Sequence, residues 1–200
     1  MSRAHPYNRE TAIGAALTIF WQKGYHATSL KDLEGALNMK PGSIYAAFSS
    51  KETLFGLALE RYFEASRSDF LTSVHAAPSP LVGLTRFVQK LGRTADNDTQ
   101  SRACMLVKTV LNATQQDQAI SAQAERYLSS MEDEMATVFE QAVAAGELPK
   151  GSDTRRLARR YQSGITALRI EAHRNTDPAD LSRSADDLAR TFDALRPPSN

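Results

Sequence analysis

Leu30, Leu33 and Leu37 recur at helical spacing, the pattern breaks at Asn38, and it restarts after Pro41 with Ile44 and Phe48 four apart. Two short helices joined by a tight turn are therefore predicted within Thr28–Phe48. Ser29 with Asp32 fits a capping box at the first helix start. Asn38 tolerates left-handed backbone angles, and Pro41 suits a first helical turn. With Ile44 and Phe48 inward, Ser43, Tyr45, Ala46 and Ala47 are left on the surface, small or hydroxylated enough for a close approach to a duplex. Ser49 with Glu52 predicts a third helix from about Lys51, carrying Leu54, Phe55, Ala58, Leu59 and Tyr62 inward and continuing to about His75. Lys51 then stands at an exposed helix start, where amides and an ammonium can grip a phosphate.

The flanking pattern is helical throughout. Ile13, Ala16, Leu17 and Phe20 form the stripe of a helix over about Arg9–Lys23 that stops at Gly24, with Trp21 and Tyr25 expected in a small N-terminal core. Before it, Met1–Asn8 reads as a polar arm, a solvated tail or one whose Arg3, together with Arg9, reaches phosphates. Thr28 is expected either to bind a phosphate or simply to cap a helix. After Pro78 and Pro80, Leu81, Leu84, Phe87, Val88 and Leu91 predict an amphipathic helix that the polar run ADNDTQS breaks. Cys104, Met105, Leu106, Val107, Val110 and Leu111 give an unusually apolar helix, expected at the centre of a second core. A long helix from about Asp117 to Ala145 carries Tyr127, Met131, Met135, Phe139 and Val143, and Asp153 and Asp177-Pro178 open two more. The expected fold is all-α, with a DNA-binding domain over 1–54 and a larger helical domain over 55–200.

Composition changes this picture little. The chain has 200 residues, 42% of them hydrophobic, enough for buried cores, and a net charge of +1, so a nucleic-acid reading rests on the motif and not on bulk charge. A single cysteine rules out an internal disulfide framework and suits a reducing cytoplasm. The N-terminus lacks the apolar core of a signal peptide, and no apolar run is long enough to span a bilayer, so a soluble cytoplasmic protein with no membrane partner is expected.

The span FWQKGYHATSLKDLEGALNMKPGSIYAAFSSKETLF resembles the N-terminal pattern of the TetR family of bacterial transcriptional regulators. The match is carried by Phe20–Tyr25, Thr28-Ser29, Gly42-Ser43-Ile44-Tyr45, Phe48 and Ser50–Leu54, and covers roughly the first third of the chain. Lys40 stands where that family often has Ser or Thr, and Ala46-Ala47 where a His or second aromatic is frequent, which shifts base contacts toward thymine methyls. The resemblance implies a homodimer binding double-stranded DNA at a palindromic operator through Thr28, Lys40, Gly42, Ser43, Tyr45, Ala46 and Lys51. It also implies that 55–200 is an effector-binding and dimerisation domain whose last two helices meet a partner chain, through Tyr161, Gly164, Ile165, Leu168, Leu188 and Phe192, the alternative being ordinary core within one chain, and that a largely apolar small-molecule effector releases DNA.

The remaining chemistry is sparse. His5, His26, His75 and His173 are scattered, giving no metal site, and neither a cofactor motif nor a nucleophile elbow is present, so no enzyme is expected. Phe87, Cys104, Met105, Met131, Met135, Phe139 and Tyr161 are candidate effector contacts, or core. Ser101 is a candidate cap that would put Cys104 in a first helical turn near Arg102, where a thiolate is favoured; the alternatives are a redox or electrophile sensor and a buried apolar residue. Also open is a DNA-bound adaptor with no effector.

Overall fold

The computed structural model describes residues 8–94 and 103–197, and every regular element among them is an α-helix. These are α1 (Arg9–Lys23), α2 (Leu30–Leu37), α3 (Pro41–Phe48), α4 (Lys51–His75), α5 (Pro80–Thr94), α6 (Met105–Asn112), α7 (Gln118–Ala144), α8 (Thr154–His173) and α9 (Pro178–Asp193). Arg3, the polar break after Thr94, Ser101 and Arg102 lie outside the described residues.

Two compact units result: Met1–Ala65 with Met105–Glu125, and Ser66–Cys104 with Arg126–Asn200. This division differs from a boundary at residue 54. The apolar α6 groups with the N-terminal unit and not with the second core, and only part of it is covered: Met105 and Leu106 are buried, while Leu111 is 75% exposed.

The first unit is built from local signals. Asn8 caps α1 by accepting from the amides of Glu10 and Thr11, and Gly24, at φ 82°, ends it. Ser29 and Asp32 form the capping box of α2, and Asn38, at φ 51° and ψ 44°, turns the chain left-handed. Pro41 opens α3. Ser49 does not cap α4: with φ 65° it closes α3, its amide donating to the Tyr45 carbonyl. Ser50 takes the capping role, accepting from the Thr53 amide at 3.0 Å. Ile13, Phe20, Leu33, Ile44, Phe48, Leu54 and Phe55 are buried, with the Phe20 and Phe55 rings edge to face at 4.9 Å.

The second unit is a tightly filled helical core. Tyr161 is fully buried, its hydroxyl donating to the Leu84 carbonyl at 2.8 Å, and its ring meets Phe192 at 5.2 Å and Phe139 at 5.8 Å. Burial pushes the Tyr161 phenol well above its ordinary pKa. Helices α5 and α9 touch closely at Gly92, where an added Cβ would lie 2.5 Å from the Ala185 Cβ. Glu147 joins three elements: it accepts from the Leu81 amide at the start of α5, from the Ser79 hydroxyl, and from Arg196 beyond α9.

Candidate nucleic-acid interface

Burial of Ile44 and Phe48 decides which side of α3 meets solvent. Gly42, Ser43, Tyr45 and Ala46 are exposed, Tyr45 by 48%, and Ala47 is half-buried. Lys40 is exposed at the N-cap of α3, where no side chain caps the helix; Pro41 has no N–H to offer, and the Ser43 and Ile44 amides donate to the Lys40 carbonyl at 2.9 and 3.1 Å. Lys31 is exposed on α2, and the Arg9 guanidinium lies over the Phe48 ring at 5.9 Å, just behind α3. In the sequence, the signal that marks Lys31 is its position off the leucine stripe of α2.

Two residues sit differently from expectation. Thr28 is fully buried, and its hydroxyl donates to the Gly24 carbonyl at 2.7 Å, so it neither caps α2, which Ser29 does, nor offers its hydroxyl at the surface. Lys51 is half-buried, with its ammonium 4.6 Å from the Tyr25 ring centre. Burial lowers the Lys51 pKa, against an opposing pull from the Asp32 carboxylate. Asp32 is itself held well below the usual carboxylate range by Lys23, 2.5 Å away, and by the Ser29 hydroxyl and amide.

Within the same unit lies a cavity of about 310 Å³ walled by Phe20, Trp21 and Tyr25 around the end of α1, Phe55 of α4 and Met105 of α6. Two polar links close its sides. Lys108 donates to the Trp21 carbonyl at 2.8 Å, and His26 Nε2 lies 2.8 Å from Asp117, whose carboxylate also accepts from the Thr114 amide and hydroxyl. The Thr114 hydroxyl and amide, and then His26, hold the Asp117 carboxyl below its ordinary pKa. No local pattern marks these links, because His26 and Asp117 are 91 residues apart.

The candidate effector residues are separated. Met105 lines the cavity of the first unit. Phe87, Met131, Met135, Phe139 and Tyr161 are buried in the second unit, where Phe139 and Tyr161 pack ring against ring. Cys104 is half-buried and precedes α6, which begins at Met105, so the thiol is not in that helix's first turn. Of the six candidate dimer residues, Tyr161, Ile165, Leu168 and Phe192 are already buried within one chain. A Cβ on Gly164 would meet the Leu188 side chain at 2.7 Å, so those two residues touch each other inside the monomer. Among the described residues no helix is long and apolar enough to cross a membrane, and no group of His, Cys, Asp or Glu could hold a metal ion.

The first unit thus presents a short capped helix pair whose second helix is exposed. Residues 12–58 match the bacterial regulatory proteins of the tetR family, and residues 80–188 match the tetracyclin repressor-like C-terminal domain. The chain belongs to the TetR family. This is a family of DNA-binding transcriptional regulators rather than enzymes. The HTH-type transcriptional repressor ComR of Escherichia coli K12 is 24% identical over 197 residues, covering 97% of this chain and 94% of ComR. BdcR, another repressor of that strain, is 42% identical over 60 residues, 30% of each chain. Among solved structures, a cysteine-substituted TetR family regulator CifR complexed with 26-base-pair operator DNA superposes with a TM-score of 0.86 at 25% identity, covering 94% of this chain and 98% of that one. A TetR family regulator from Cytophaga hutchinsonii gives 0.83 at 21% identity, covering 99% and 100%.

Proposed function

We propose that this TetR family regulator is a homodimeric, one-component cytoplasmic repressor that binds a palindromic operator and is released by a small-molecule effector. The observation that carries the reading is the outer face of α3, where Gly42, Ser43, Tyr45 and Ala46 stand exposed over a buried Ile44 and Phe48, with Lys40 exposed at the helix start. The operator complex of CifR and the repressor names of ComR and BdcR support it. Lys51, resting on Tyr25, acts as a preorganised phosphate contact. For the symmetry mate, α8 offers Ser163, Ala167 and Ile170, the last 47% exposed, as the face its own chain leaves open. A ligand acts by favouring a head spacing that cannot engage two successive major grooves.

Selection of bound fragments from a genomic library tests the whole reading, with one palindromic motif expected. On that operator, Lys51→Ala should weaken specific and non-specific binding alike and reduce the salt slope by about 0.9 per subunit; a loss confined to one sequence with the slope unchanged removes the phosphate role. Ile170→Asp should sediment as a folded monomer. A second reading, a DNA-bound adaptor without an effector, is favoured by one observation, the ring-on-ring packing of Phe139, Tyr161 and Phe192 where an effector pocket was expected.

A further inference from the structure

We propose that the cavity beside the helix-turn-helix binds a small, flat aromatic carboxylate, and that its occupancy lowers operator affinity. This rests on the reading of the chain as a DNA-binding regulator, and it names the class of effector and a site in the N-terminal unit. At about 310 Å³ the cavity lies at the small end of ligand pockets, which run from about 300 to 1,000 Å³, and so suits one ring or two fused rings. Its walls are aromatic: Phe20, Trp21, Tyr25 and Phe55 offer ring faces and edges for offset or edge-to-face contact.

Charge selects the polar end of the ligand. Of the three ionic groups lining the cavity besides His26, two are already matched: Lys23 pairs with Asp32 at 2.5 Å, and Asp117 accepts from Thr114 at 2.6 and 2.8 Å and faces His26. The third is Lys108, half-buried on α6, which donates only to the neutral Trp21 carbonyl; among the described residues it is in no ion pair. An ammonium has three donors, so two remain for a carboxylate, and a charge-assisted hydrogen bond is stronger than a neutral one. A cationic ligand would instead meet Lys108 unpaired.

The same lysine supplies the coupling. Its bond to Trp21 ties α6 to the end of α1, and the His26–Asp117 contact ties the α1–α2 turn to the start of α7. A carboxylate held by the two remaining donors draws the Lys108 ammonium into the cavity and away from the Trp21 carbonyl, so it favours positions of α1 in which that bond is lengthened.

Trp21 is the only tryptophan and lines the cavity, which gives a built-in reporter. Calorimetry and tryptophan emission on the full chain should show binding of 4-ethylbenzoate, with its cationic counterpart 4-ethylbenzylamine at least about tenfold weaker. Lys108→Gln should weaken the acid by at least about tenfold and Lys108→Arg should restore most of it. Because Lys108→Gln also removes the bond to Trp21, Ala113→Leu, which narrows the cavity and leaves Lys108 intact, should abolish binding independently. Equal affinity for acid and amine, no binding of the acid at millimolar concentration, or acid binding that survives both variants overturns the site. Acid binding with unchanged operator affinity overturns its role as an effector site. Ligand binding is read without DNA, so a chain that takes the acid but binds no operator refutes the regulator reading and its coupling, not the pocket.

Discussion

The two units use aromatic residues in opposite ways. In the second, Phe70, Phe87, Phe139, Tyr161 and Phe192 close on one another and even the Tyr161 hydroxyl is consumed by a backbone carbonyl. In the first, Phe20, Trp21, Tyr25 and Phe55 surround space, bordered by links between polar groups distant in sequence. A filled core resists deformation, whereas a unit whose parts are joined by a few polar contacts around a cavity has alternative arrangements of similar energy. That difference puts the freedom to rearrange in the unit that carries the exposed α3.

The comparison breaks first at Phe139. Its replacement by alanine should cost about 3–5 kcal/mol in urea unfolding, while Trp21→Ala, at a half-buried ring already bordering a cavity, should cost clearly less. Equal losses would mean that the second core is as open as the first. Next comes Gly92→Ala, expected to destabilise by about 1–3 kcal/mol because the new methyl falls 2.5 Å from Ala185 and 3.3 Å from the Leu181 carbonyl across the α5–α9 contact. An unchanged midpoint would show that these helices separate easily.

Glu147→Gln should cost about 1 kcal/mol at neutral pH. Burial alone would raise the Glu147 pKa, but hydrogen bonds from the Leu81 amide, Ser79 and Arg196 outweigh it and leave the value lowered. A carboxyl with a depressed folded pKa stabilises above its unfolded value, and that stability is lost as pH falls through the folded value. The gap between parent and variant should therefore close as pH falls below the ordinary glutamate range; a constant gap across a pH series of melts assigns the effect to shape and not to charge. The smallest effect has the opposite sign. Gly35, on α2 with open space where a Cβ would stand, should stabilise the first unit by about 0.5–1 kcal/mol when changed to alanine. A loss at Gly35 would reveal a constraint that the exposed face of α2 does not show.

Much of this molecule is determined locally. The Ser29–Asp32 box, the left-handed Asn38, Pro41 at a helix start and the aspartate caps of α8 and α9 act within four residues, so their spacing alone predicts the helix-turn-helix, and Ile44 with Phe48 predicts which face of α3 is exposed. Where two adjacent residues can do one job, local pattern leaves a choice, and Ser50 rather than Ser49 caps α4 because Ser49 is used in closing α3. What an apolar stripe meets is not local at all. Periodicity marks a face for burial without naming its partner, and only the tertiary structure decided that Tyr161, Ile165 and Phe192 pack inside their own chain, that α6 joins the N-terminal unit, and that Lys108 and Asp117 arrive beside Trp21 and His26. Those pairings depend on chain segments some 90 residues apart being brought together by helix packing, which leaves no mark on the spacing of either segment.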